Sequence, residues 1–328
     1  MVKKKIFTTI SLIICITLST VLSACNKETK TDPFQTYLDS LKQATGAIAG
    51  VDYQASLRVE GHNLDYEKVE FSETGPVQYD STPEEIRRIR KAAQLSALAR
   101  DQIALEARPG MSTKELDDIA GAIIHSLGGR PAFLGYCGYP ANICISVNDE
   151  VVHGIASPDR YLLKGDIVSL DVGVAFDGAM GDTAKTVYLG EESDIPEDEA
   201  RLLKGTSEAL EEGIRAAVCG AHIRDVARAV EKVAKGYKLG VVREYVGHGC
   251  GIKLHEPPEV PNFVTPERGA KLQSGMVICI EPMLNLGTRK IFVERDRWTV
   301  RTADGARSAH FEHMVLITDG QPEVLTRV

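Results

Sequence analysis

Four acidic residues set into apolar runs constrain this chain more than any other feature. Asp171 lies within Ile167-Val168-Ser169-Leu170-Asp171-Val172. Asp182 opens the strand-like run at 183–189. Glu281 ends Val277-Ile278-Cys279-Ile280-Glu281, and Glu312 lies within His310-Phe311-Glu312-His313-Met314-Val315. A buried carboxylate is costly unless it is paired or bound to a cation. Four of them on core-like strands would repel one another without a cation among them. The turn Gly247-His248-Gly249 adds an imidazole. Such a donor set suits one or two divalent ions such as Mn, Fe, Co or Zn. Taken singly, each acid reads as a strand end or a solvent-facing residue. Taken together that reading is weak, because all four fall in or beside apolar strands.

The flanking sequence places these strands. Ser81-Thr82-Pro83-Glu84-Glu85 is a helix start, with capping hydroxyls, an early proline and acids in the first turn. Ile86, Ile89, Ala93 and Ala97 follow at helical spacing as far as Leu105, and Pro109-Gly110 ends the helix. Ser112 with Glu115 forms a capping box for a second helix, closed by Gly128-Gly129. Strand-like runs follow at 143–147, 166–176 and 183–189. The order then repeats, with helices at 196–218 and 222–237 and strands at 241–246, 276–282, 298–301 and 310–318. Each half, 82–190 and 191–328, runs helices first and strands after. The pattern predicts an internally duplicated α+β domain, with helices covering one face of a curved sheet.

Ahead of this domain, residues 1–24 read as a signal peptide: Lys3-Lys4-Lys5, an apolar run, then Leu22-Ser23-Ala24 before Cys25. Leu-Ser-Ala-Cys resembles a bacterial lipobox, which implies lipid on Cys25, membrane attachment and an extracytoplasmic location. An uncleaved anchor helix and a falsely extended start codon are the alternatives, the last leaving a cytoplasmic enzyme. Residues 25–80 read as a tether and N-terminal extension, with a short helix at 34–43 and a hairpin within 53–71. The catalytic domain is assigned to 81–328. The net charge of −8 gives no phosphate-binding surface, so no nucleic acid partner is expected. Seven cysteines without CxxC spacing make neither a disulfide framework nor a thiolate zinc site.

Five ordered blocks over about residues 81–328 resemble type I methionine aminopeptidase. They are Tyr139-Pro140-Ala141-Asn142-Ile143-Cys144 through His153-Gly154; Gly165-Asp166 through Asp171 to Gly181-Asp182-Thr183; Gly247-His248-Gly249-Cys250-Gly251 with His255-Glu256; Gly275-Met276 through Glu281-Pro282-Met283; and Trp298-Thr299-Val300 with Ser308-Ala309-His310-Phe311-Glu312-His313. The resemblance implies a pita-bread (creatinase/aminopeptidase) fold and removal of N-terminal methionine from peptides or nascent proteins by a metal-activated water. It implies that Asp171, Asp182, His248, Glu281 and Glu312 hold two divalent ions, with Asp182 and Glu312 bridging. It makes Glu281 also the general base. His153 would steer the substrate amide and leaving amine, and His255 would stabilise the tetrahedral intermediate. A methionine pocket walled by Phe133, Tyr136, Tyr139, Cys144, Leu254 and Trp298 is implied as well. A monomer is expected.

Three positions depart from the family pattern. His310 stands where Gln is usual, Ala179-Met180 where an aromatic-His pair is common, and Leu254 where Phe is usual. The departures bear on pocket shape and turnover, since none is an implied ligand. The competing readings are an Xaa-Pro dipeptidase of the same fold and a non-catalytic binding relative. The Tyr139–Cys144 block speaks against the first, and the complete ligand set against the second.

Overall fold

The structure, a computed structural model, describes residues 81–328. The signal-type segment 1–24 and the extension 25–80, with its expected helix and hairpin, lie outside the described residues. Helices α1 (Pro83–Glu106) and α2 (Thr113–Ser126) both start on capping boxes. The Thr82 and Ser112 side chains accept from the backbone N–H of Glu85 and Glu115, whose carboxylates bond back to the cap N–H. A cap of this kind contributes about 0.5–2 kcal/mol.

After α2 come β1 (Arg130–Pro131), β2 (Cys144–Val147), β3 (Glu150–Val152) and the hairpin β4 (Ile167–Phe176) and β5 (Ala179–Tyr188). The second half opens with α3 (Glu197–Ala216) and α4 (Ile223–Gly236). Ten strands follow: β6 (Gly240–Val241), β7 (Gly247–Gly249), β8 (Glu256–Val260), β9 (Val277–Ile280), β10 (Met283–Asn285), β11 (Ile291–Val293), β12 (Val300–Thr302), β13 (Ser308–His310), β14 (His313–Leu316) and β15 (Glu323–Val324). Both halves therefore run helices first and strands after, as the pattern predicts.

All strand pairs are antiparallel, and they form four sheets rather than one. β1, β4 and β2 pair in that order, with β5 on β4. The order β15-β14-β9-β7-β8 makes the largest sheet, and β13-β10-β6 and β11-β12-β3 the smaller two. The runs 276–282 and 310–318, each expected as one strand, are both broken. β9 stops at Ile280; Pro282 has no N–H to continue the ladder, and β10 joins another sheet. β13 pairs with β10 and β14 with β9, so the chain changes sheet again at Phe311-Glu312. Glu281 and Glu312 thus sit at two crossings between the same two sheets. The expected strand at 241–246 is reduced to β6, and β5 starts before Asp182 instead of at it.

Three apolar clusters hold this arrangement. Leu95, Ile103, Leu116 and Ile124 of α1 and α2 pack on Ile145, Leu170 and Val172. Leu202, Leu210, Val226 and Val230 of α3 and α4 pack on Ile278, Ile280 and Val315. Ile89 and Ala92 of α1 reach across to Cys279 and Met314 of the second half. Fully burying one such aliphatic side chain contributes about 1.5–3 kcal/mol. Backbone bonds join the halves where the acids lie: Glu312 N–H donates to Ala184 O at 3.0 Å, and Met180 N–H to Gly251 O at 2.7 Å.

Candidate active site

The register of the β4–β5 hairpin places the first two acids. Asp171 faces Ala184 and Asp182 faces Gly173, so the two aspartates are diagonal neighbours on one face. The second pair comes from the sheet crossings. β9 and β14 pair with Ile280 opposite His313, which brings Glu281 and Glu312 to adjacent chain positions at the end of that ladder. The Thr183 hydroxyl donates to Glu312 O at 2.8 Å and itself accepts from Arg100 Nη1 at 2.7 Å. Asn262 Nδ2 donates to Glu281 O at 3.0 Å, fixing the backbone there.

His248 completes the group. Its two flanking glycines are required by close approach: a Cβ on Gly247 would lie 2.3 Å from Cys279 O, and one on Gly249 2.2 Å from Pro257 O. His248 Nδ1 lies 2.9 Å from Gly249 O. A carbonyl only accepts, so the proton sits on Nδ1 and the Nε2 lone pair faces the acids. That Nε2 is 3.4 Å from Glu281 Oε1 and 4.0 Å from Asp182 Oδ2.

The electrostatics of the cluster are those of a site built for positive charge. Burial pushes the carboxyls of Asp182, Glu281 and Glu312 well above the ordinary carboxylate range, and neighbouring carboxylates push them further. Burial raises Asp171 to about 6, with His310 opposing. Burial lowers His248 to about 3, helped by His255, so the imidazole is a neutral donor. Asp171 Oδ1, Asp182 Oδ1 and Glu312 Oε1 are buried with no hydrogen-bond partner among the described residues. Orphaned oxygens are rare in folded proteins and need an explanation. Oxygens that lack protein donors, joined by one imidazole nitrogen, fit a divalent cation. Donor atoms of Asp182, His248 and Glu312, with the Cys279 sulfur behind them, all lie within 4.8 Å of one another.

One cavity of about 340 Å³ opens onto these groups. Phe133, Tyr139, Cys144 and Leu254 are buried together on one side of it, with Tyr136 and Trp298 packed against them. Tyr139 and Trp298 meet edge to face at 5.1 Å. All six wall residues implied by the sequence resemblance therefore line this cavity. His153 and His255 line it too. His153 holds a left-handed backbone, φ 59°, which costs about 1–3 kcal/mol in a residue with a Cβ. Its ring stands edge-on to Tyr245 at 5.3 Å. His255 Nδ1 is 2.9 Å from the Tyr136 hydroxyl, and its ring centre is 4.2 Å from that of His248. Burial lowers both His153 and His255 to about 4.

Three histidines outside the cavity have structural partners. His125 Nδ1 meets Gly129 O at 3.3 Å, His222 Nδ1 meets Gly269 O at 3.2 Å, and His313 Nδ1 meets Thr326 Oγ1 at 2.8 Å. Several lining residues carried no sequence signal: Cys137, Glu244 and Tyr245, together with Asn262 behind Glu281. His310 also lines the cavity, and the departure from Gln had already set it apart.

A cavity walled by aromatic and aliphatic side chains, ending in paired buried carboxylates and imidazoles, is the site of a metal-dependent hydrolase. Residues 87–319 match the family model described as metallopeptidase family M24, and the chain belongs to that family. Within it, the chain is similar to methionine aminopeptidase 1 of Bacillus subtilis, 43% identical over 75% of this chain and 98% of that protein. It is 46% identical to methionine aminopeptidase 1 of Mycobacterium tuberculosis, over 74% of this chain and 92% of that protein. The crystal structure of methionine aminopeptidase from Thermotoga maritima superposes with a TM-score of 0.73. It is 39% identical and covers 76% of this chain and 98% of that one.

Proposed function

We propose that the chain is a methionine aminopeptidase, releasing methionine from the free amino terminus of peptides or nascent proteins. The observation that carries this is the junction of a narrow apolar cavity with five convergent donors: Asp171, Asp182, His248, Glu281 and Glu312. These residues would hold two divalent ions, chosen among Mn, Fe, Co and Zn. When bound, the ions supply Lewis-acid polarisation of the scissile carbonyl and a water acidified toward neutral pH.

The rest falls to the protein's own groups. Phe133, Tyr139, Cys144, Leu254 and Trp298 enclose an unbranched apolar side chain and exclude water from it. Glu281, a carboxylate whose burial raises its proton affinity, accepts the proton of the attacking water. His255 Nδ1 lies 2.9 Å from the Tyr136 hydroxyl, and the tautomer in which that hydroxyl donates leaves the ring proton on Nε2. His255 thereby becomes a neutral donor to the oxygen that gains charge in the tetrahedral intermediate. His153, packed edge-on to Tyr245 and Trp298, would steer the substrate amide and the leaving amine.

For the N-terminal segment we retain the export reading. Removal of residues 1–24 and lipid on Cys25 would place the enzyme outside the cytoplasm, trimming extracytoplasmic peptides. A cleaved, lipid-modified Cys25 in the membrane fraction supports it, and an unprocessed soluble chain refutes it. The activity is tested by assaying the metal-loaded protein on Met-Ala-Ser, Met-Pro and Ala-Pro. Release of Met from Met-Ala-Ser alone is the expected result. Cleavage of Ala-Pro would make it an Xaa-Pro dipeptidase, and no metal-dependent release a binding relative.

A further inference from the structure

His310 is 2% exposed, and its Nε2 has no hydrogen-bond partner among the described residues. The nitrogen is not idle in its direction. It lies 3.5 Å from Glu281 Oε2, while His248 Nε2 lies 3.4 Å from the other oxygen, Oε1. The two oxygens of Glu281 are thus each faced by one imidazole. The His310 backbone is fixed on both sides by one hydroxyl: Thr186 Oγ1 accepts from His310 N–H at 2.9 Å and donates to His310 O at 2.8 Å. Strand pairing with Met283 of β10 fixes it further. Glu281, by contrast, stands at a sheet crossing, with its backbone carbonyl held by Asn262 and its carboxylate faced by the two imidazoles.

We propose that His310 is a positioning residue for Glu281. Its Nε2, 3.5 Å from Oε2 and without a formed hydrogen bond, is placed to donate to Oε2 when a cation draws the carboxylate in, which turns Oε1 toward the cation site and the attacking water. This rests on the peptidase reading for its effect on turnover, but not for its effect on metal binding. Groups that orient metal-ligating carboxylates are worth about 10–100-fold in affinity or activity.

The test compares H310L, H310N and H310Q in the full chain. Calorimetry of the metal-free proteins with Mn(II) and steady-state release of Met from Met-Ala-Ser are the readouts. H310L, which fills the space without a donor, should lose about 10–100-fold in kcat or Mn(II) affinity with KM near wild type. Its melting temperature without metal should be no lower than wild type, because leucine removes a buried unpaired nitrogen. H310N is too short to reach Oε2 and should match H310L, which covers the case in which the leucine fails to fold. H310Q restores an N–H at about the same reach and should recover most of the loss. Wild-type Mn(II) affinity and kcat in both H310L and H310N would overturn the proposal, as would H310Q no better than H310L. Should the wild type release no Met, the peptidase reading fails, and the calorimetric comparison still decides the role of His310.

Discussion

The two halves of the molecule deliver their acids to the site in different ways. In the first half, Asp171 and Asp182 lie inside one continuous hairpin whose ten register pairs run without a break. In the second half, Glu281 and Glu312 lie where the chain leaves one sheet for another, and His248 lies on a three-residue strand between obligatory glycines. A hairpin fixes side chains by register alone. A crossing fixes them only through what surrounds it: Asn262 behind Glu281, Thr183 and Ala184 behind Glu312, His310 beside Glu281. The first half is therefore a platform and the second half an adjustable jaw.

Substitution of one acid from each half should abolish function by different routes. Glu281→Gln removes the proposed base and weakens one of the five ligands, and should lower kcat by about 10²–10⁴-fold while part of the metal stays bound. Asp182→Asn should instead empty the site, visible as lost metal in elemental analysis. Equal metal content in the two variants would break the distinction.

The glycines of the second half should matter for stability as well. Gly249→Ala places a Cβ against a backbone carbonyl, and overpacking of that kind costs about 1–3 kcal/mol. A thermal melt should show it, with weaker metal binding alongside.

In the first half, Asp117 of α2 accepts from Asn142 N at 2.8 Å and Ile143 N at 3.2 Å, and so anchors the start of β2. Asp117→Ala strands both donors and should cost about 1–3 kcal/mol, while each folded molecule keeps its kcat. A lower kcat would mean that the platform is less rigid than its register implies.

Hydrogen exchange offers the smallest and most selective contrast. Stripping metal should deprotect residues 277–283 and 308–313 more than 167–188, because the carboxylates at the sheet crossings lack the continuous register that holds Asp171 and Asp182. Uniform deprotection would remove the difference between the halves.

The same contrast explains what could be read from sequence. The caps at Thr82 and Ser112 have local causes and were legible to the residue, as was the first strand of the hairpin within one residue, while the second strand begins four residues before its apolar run. The five implied donors sit in motifs whose order the resemblance fixes, and the structure brings them to one cavity; the walls Phe133, Tyr136 and Leu254 lie outside those motifs and came from the resemblance alone. The breaks at Pro282 and Phe311 were not. An apolar run looks the same whether it stays in one sheet or changes sheet, and only the tertiary pairing of β10 with β13 and β9 with β14 decides. Asn262 and Tyr245 were missed because they act through the fold, one behind a ligand and one beside a ring.

Metal binding to the stripped protein tests the central claim most directly. Calorimetry and elemental analysis should find two Mn(II) per wild-type chain and none in the double variant Asp182→Asn, Glu312→Gln, with both proteins folded by circular dichroism. Two ions bound equally by wild type and double variant, or none bound by either, would contradict the account.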